Sequence, residues 1–234
     1  KKLPIRNTNV ASALTDCATV WKMDALTDVG ADIDASGLNM RFTSSDGETL
    51  LKYERKNFVL SGGAATGQFY FKVPTVSSAS NTDVYAYYKA ATPSEGEDPT
   101  NVWKTSYKAV YHCEEDPMNV VDSTVNANGG SESGGVARVT GTLGYRASFD
   151  GTDDYITCGS SSTLVLTNWT LQCLAVLDST PAIGGWMIDK ASGTIRNYEF
   201  WVNTTPMLAS AFTHTSGFGS AVAVGARLTA TVIE

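Results

Sequence analysis

Three groups of residues in this 234-residue chain have types and spacings that could do chemistry. The first is Asn197-Tyr-Glu-Phe-Trp-Val-Asn. At the two-residue period of a strand, Tyr198, Phe200 and Val202 fall on one face, and Asn197, Glu199, Trp201 and Asn203 on the other. A tryptophan among amides and a carboxylate suits a pyranose, whose faces are apolar and whose hydroxyls need paired donors and acceptors. It suits a protein surface as well, and the same tryptophan could instead be covered by a neighbouring strand. The second group is oxygen-rich, with Asp122, Asn126 and Asn128 in one loop and Asp150, Asp153 and Asp154 in another. A hard cation such as calcium takes such ligands, yet the same residues cap their own backbone in Asx turns without metal. Asp122, Asn126, Asp150 and Asp153 are the calcium candidates. The third group is the set of carboxylates and histidines that an enzyme would need.

That third group does not assemble into a catalytic pattern. Glycoside hydrolysis requires two carboxyl groups about 5–9.5 Å apart across the scissile bond. No glucanase-type Glu-x-Asp-x-x-Glu run occurs, and Glu114-Glu115-Asp116, stopped by Pro117, reads as a solvated turn. His112 and His214 are not accompanied by a Gly-x-Ser-x-Gly elbow. A non-catalytic protein is expected, with a glycoside hydrolase of unfamiliar carboxylate pair as the outlying alternative. Seventeen Lys and Arg against 24 Asp and Glu leave a charge of -7, so no basic footprint exists for nucleic acid or an anionic membrane. No apolar run reaches the roughly 18 residues of a spanning helix, so no membrane insertion is expected. The four cysteines (Cys17, Cys113, Cys158 and Cys173) include no C-x-x-C pair. Buried free thiols are expected, with two disulfides in any of three pairings as the alternative. The chain opens at Lys1 rather than Met, which reads as a processed or excerpted piece.

The elements that must position these groups are strands. Gln68-Phe-Tyr-Phe-Lys-Val, Asp83-Val-Tyr-Ala-Tyr-Tyr, Tyr107-Lys-Ala-Val-Tyr-His and Asn197-Tyr-Glu-Phe-Trp-Val each alternate as half-buried antiparallel strands do. Pro74 and Pro206 read as strand terminators, because proline has no N–H for a central ladder. Between Ala90 and Asn101 the chain turns acidic and proline-punctuated, the composition of a connection, which places a boundary near residue 100. Asn126 to Gly135 reads as a long surface loop.

Asn39-Met-Arg-Phe-Thr-Ser-Ser-Asp-Gly-Glu-Thr-Leu-Leu-Lys-Tyr-Glu, then Phe69-Tyr-Phe-Lys-Val-Pro-Thr-Val, then Val84-Tyr-Ala-Tyr-Tyr resemble domain of unknown function (DUF) 2341. This is a family of microbial and phage surface modules without a settled activity. Ser45-Asp46-Gly47 is there a hairpin turn in which glycine supplies a positive φ. The segments Val121 to Gly129, Leu143 to Ile156, Leu164 to Ala175 and Ile188-Asp-Lys resemble the laminin-G-like, concanavalin A-like jelly rolls of lectins and glucanases. That resemblance implies adjoining strands about Asp150-Gly151 with Phe149 and Tyr155 inward, a rim calcium and a strand over Leu171–Val176, while Trp186, following Gly184-Gly185, reads as a core residue at a hairpin end. It also implies strands beyond Glu234, supplied by a further segment or by another chain.

The expected fold is therefore all-β, with two β-sandwich domains, residues 1–100 and 101–234, the second a jelly roll that could be incomplete at its C-terminus. The expected function is adhesion or glycan recognition at a cell or virion surface, with a saccharide or surface protein as partner. A structural subunit of a virion, fibre or extracellular filament, self-assembling through such sandwiches, is the alternative.

Overall fold

The computed structural model describes residues 1–90, 94–141, 143–176, 185–192, 195–202 and 209–212. The fold is all-β, built of antiparallel sheets, and the chain divides into two compact units, Lys1–Gly159 and Ser160–Glu234. Among the described residues, no helix is long and apolar enough to cross a membrane.

The first unit begins with β1 (Lys2–Ile5), β2 (Leu14–Leu26), the one-turn helix α1 (Thr27–Gly30), β3 (Arg41–Thr43), β4 (Tyr53–Ser61), β5 (Ala64–Val76) and β6 (Thr82–Tyr87). These form two sheets, β2-β5-β4 and β1-β6-β3, closed over one core. The alternation of Gln68-Phe-Tyr-Phe-Lys-Val explains how. Phe69, Phe71 and Val73 point inward and are buried, and Phe71 stacks on Phe42 of the opposite sheet at 4.8 Å. The expected turn closes β3: Gly47 adopts φ 77°, and Asp46 accepts from the N–H groups of Glu48 and Thr49 and from the hydroxyls of Ser44 and Thr49. Pro74 lies inside β5 rather than ending it. The N–H of Lys72, two residues earlier and facing the same way, donates to Lys52 just before β4, so at Pro74 that side of the ladder has already run out.

The other face of β2-β5-β4 carries Glu54, Lys56, Gln68, Tyr70 and Lys72, the pattern of a solvated face. It is covered by the chain from Val102 to Tyr145, which belongs to the same compact unit. The expected strand at Tyr107–His112 is absent from this cover, apart from one bridge between Tyr111 and Asp122. Side chains replace its ladder. Asp122 accepts from Val110 N–H, while the amides of Asn126 and Asn128 donate to the carbonyls of Tyr107 and Lys108. The stretch 126–135 is not wholly loop, since it holds β7 (Ser131–Ser133).

Beyond it come β8 (Ala137–Gly141), β9 (Gly144–Ser148) and β10 (Tyr155–Thr157). β8 pairs with β9, and β10 with β7, so β9 and β10 do not pair about Asp150-Gly151. Phe149 and Tyr155 are 52% and 56% exposed, which corrects their expected inward placement. Met118, Val120 and Val136 make a small second core here, with Cys113 and Cys158 packed against it. All four cysteines are free thiols, partly rather than fully buried.

In the second unit, β11 (Gly185–Ser192), β12 (Ile195–Val202) and β13 (Ala209–Phe212) form one sheet in that order. The segment Leu171–Val176 is not a strand, and Leu174 and Val176 are exposed. Trp186 is likewise exposed, at 53%, and not a core residue. Pro206 and His214 lie outside the described residues.

Candidate functional site

The sequence-derived candidates divide three ways. In β12, Asn197 grips the backbone of Leu166, accepting its N–H at 2.7 Å and donating to its carbonyl at 2.8 Å. Glu199 accepts the indole N–H of Trp186 at 2.9 Å. Both polar groups of that face therefore serve internal bonds. Trp201 stands opposite Trp186 in the ladder, and Asn203 lies outside the described residues.

Asp122 uses both carboxylate oxygens on protein donors: Oδ1 accepts from Val110 and Thr124 N–H, and Oδ2 from the Thr124 hydroxyl and Asn128 N–H. Asn126 donates to Thr124 Oγ1 and to the Tyr107 carbonyl. These two residues are turn-builders. Asp150 and Asp153 are brought together with Asp154, their carboxylate oxygens within 4.8 Å of one another. Oxygen ligands so arranged are those a hard cation takes. The same carboxylates serve the turn, Asp154 accepting Asp150 N–H and Asp150 accepting Thr152 N–H.

The best-built polar site lies elsewhere, on the covered face of β4 and β5. Glu54 is fully buried there, and its Oε1 accepts from the indole N–H of Trp103 at 2.9 Å and from His112 Nε2 at 2.8 Å. Its Oε2 has no hydrogen-bond partner among the described residues. Tyr70, one strand over, packs against both rings, at 4.6 Å from His112 and 5.7 Å from Trp103. Tyr107 closes on Trp103 edge-on at 5.3 Å. Burial, followed by the nearby carboxylates of Glu54 and Glu114, pushes the Tyr70 hydroxyl up to about 12. A bulge anchors the far side. The β4 register slips between Lys56 and Val59, opposite Gly67, and Asn57 sits there at φ 51°. Asn57 then donates its N–H to Glu114 at 2.8 Å and accepts from Tyr145 N–H at 3.2 Å. Lys56 pairs with Glu114 at 3.0 Å. Burial alone would pull the Lys56 pKa down, but Glu114 first, then Glu54 and Glu115, reverse this and leave it above its ordinary value.

Trp103 thus has its polar edge fixed inward, and the rest of the residue helps to line a groove of about 340 Å³. The other walls are mostly polar, with Asp16, Lys72, Thr100, Asn101, Lys104 and Ser106 among them, and Val125 adds an apolar side chain. Sequence reasoning passed over Trp103, Glu54 and Lys72, and took His112 as a structural edge residue. The available signal was Glu54 and Lys72 on one face of two adjoining strands, which became a site only when another stretch of chain covered it.

No curated protein and no solved structure matches the chain. Residues 36–124 match the model of a family described as domain of unknown function (DUF2341). The matched segment starts before β3 and runs past residue 100 to Thr124, so it takes in Glu54, Tyr70, Lys72, Trp103, His112 and Asp122. The sandwich strands β3 to β6 and the part of the cover that fastens Trp103 thus fall within one family match.

Proposed function

We propose that this chain is a non-catalytic recognition protein of a cell or virion surface, and that it takes a saccharide in the Trp103 groove. One observation carries the reading: an indole pinned by its N–H to a buried carboxyl and bordering a groove whose other walls, Val125 apart, carry an amide, hydroxyls and charges. A pre-fixed aromatic surface with convergent polar groups is what an amphipathic sugar ring needs, and fixing it beforehand lowers the cost of binding. Asp16 is the carboxylate among the lining residues, and Glu54 is spent on Trp103 and His112, so among the described residues no pair of carboxyls faces the groove. This favours binding over hydrolysis. Kinship of the C-terminal half with laminin-G-like jelly rolls, drawn from its sequence segments, belongs to the same proposal.

The test is a glycan array followed by titration calorimetry on the full chain, with Trp103→Ala and Trp201→Ala. The expected result is loss of at least about 2 kcal/mol, roughly 30-fold, in Trp103→Ala, as for an aromatic anchor. Unchanged binding in Trp103→Ala, or loss confined to Trp201→Ala, would refute it. A structural subunit is the second reading, favoured by the exposed Phe149 and Tyr155 that flank one loop. Light scattering at micromolar concentration separates the two, since a subunit would assemble and a recognition module need not.

A further inference from the structure

We infer that the ligand of the Trp103 groove is an anionic pyranose, whose carboxylate or sulfate is taken by Lys72 and Lys104. The inference rests on the saccharide reading above and adds the ligand's charge. It begins with strand period. Tyr70 and Lys72 share the outer face of β5, and Tyr70 lies against Trp103, so Lys72 emerges beside the indole. Lys104 follows Trp103 in the chain and lines the same groove.

The other lysines on or next to this face have carboxylates of their own nearby. Lys52 pairs with Asp98 at 2.7 Å and Lys56 with Glu114 at 3.0 Å, while Lys22 has Asp24 at 4.0 Å. Lys72 and Lys104 have no carboxylate within 4.0 Å among the described residues. Lys72 does feel Asp98, whose carboxyl is held below its ordinary value first by Lys52 and Asn101 and only then by Lys72. Asp16, the acid of the lining, is exposed. Two lysines against one aspartate make the groove locally positive in a chain of charge -7.

Both lysines are half-buried, and a ligand filling the groove would strip water from them. A neutral sugar would offer the two ammonium groups only uncharged hydroxyl oxygens, whereas an acidic sugar supplies charged oxygens, whose bonds to ammonium are about twice as strong. Selectivity then comes from the stronger charge-assisted bonds that the acidic ring makes.

The experiment titrates the full chain with galacturonate oligomers, sulfated galactose oligomers and neutral cello-oligosaccharides of equal length. The proteins are wild type, Lys72→Gln, Lys104→Gln and Trp103→Ala, with urea midpoints confirming that each is folded. Acidic oligomers are expected to bind at least about tenfold tighter than neutral ones, and each Lys→Gln change to remove roughly threefold or more of that preference. Binding of the acidic oligomers should weaken as salt rises from about 0.05 to 0.3 M. The carboxylated and sulfated arms identify which acid group is taken. Equal affinity for neutral and acidic oligomers, or Lys→Gln variants that keep the preference, overturns the inference while leaving the saccharide reading intact, provided that Trp103→Ala abolishes binding. Binding that is indifferent to Trp103→Ala, or absent for every oligomer, overturns both.

Discussion

Removing the acceptor beneath Trp103 should loosen the cover while the sandwich stays folded, and Glu54→Ala does this most directly. Glu54 Oε1 takes two N–H groups, from Trp103 and His112. A buried donor left without an acceptor costs about 1–3 kcal/mol. The His112 side chain is only 9% exposed and falls at the upper end, while the partly exposed Trp103 can recover water and falls at the lower. Together they cost about 4 kcal/mol. Glu54 Oε2, however, is buried without a partner among the described residues, and deleting it relieves about 1–2 kcal/mol of desolvation. The net is about 2 kcal/mol, or about 30-fold in the opening equilibrium. Glu54→Gln keeps an acceptor and should cost about half as much. A global melt would mix two compact units, so the assay is hydrogen exchange resolved to peptides within residues 102–114. Exchange there should quicken about 30-fold in Glu54→Ala, with peptides of β5 far less affected. Rates in 102–114 within threefold of wild type would refute the idea that this carboxyl anchors the cover.

Two further outcomes follow from the first unit. Hydrogen bonds from Thr49, Glu48 and Ser44 hold the Asp46 carboxyl well below its ordinary 3.8, so its contribution is complete above that value and fades only as pH falls towards the lower folded pKa. Carboxyl carbon NMR of Asp46 should therefore show the ionised shift still present at about pH 3, and a midpoint near 3.8 would contradict the turn geometry. Gly30→Ala would drive a Cβ to 2.1 Å from the Gly63 carbonyl oxygen, backbone against backbone, and should cost about 3 kcal/mol in urea unfolding. Gly62→Ala, at φ 57° with nothing within 4 Å, should cost only the roughly 1 kcal/mol of the left-handed backbone, and equal losses would show that packing is not the cause.

The sandwich was legible because its rules are periodic and local. Alternation in Gln68–Val73 names the inward residues before any partner strand is known, and Asp46-Gly47 makes its turn from its own side chain and φ. Alternation misled at Tyr107–His112, where the apolar pattern is that of a strand but the backbone bonds go to Asp122, Asn126 and Asn128. Such side-chain bonds leave no period in a sequence. On β12 the reading named the right strand, yet Asn197 and Glu199 turned out to be committed to Leu166 and Trp186, partners whose sequence positions give no hint of the pairing.

The acidic stretch before residue 100 shows why composition could not find the groove. Glu95, Glu97 and Asp98 read as linker because charge and proline favour solvent, but each answers a cation on or beside β4. Arg55 bonds Glu95 at 3.2 Å and Glu97 at 2.9 Å, and Lys52 takes Asp98 at 2.7 Å. Asp98 N–H also donates to the Tyr53 carbonyl, so the chain is fastened to the sheet immediately before it turns through Pro99–Asn101 and delivers Trp103 onto Tyr70. Burial of Val102 and packing of Trp103 on Tyr70 act there together with ion pairs and a buried carboxyl. The polar contacts fix direction as well as proximity. A hydrophobic contact would hold the indole near the sheet but leave its rotation free. The Glu54 bond fixes the indole edge inward, and Lys72 and Lys104 border the space that remains.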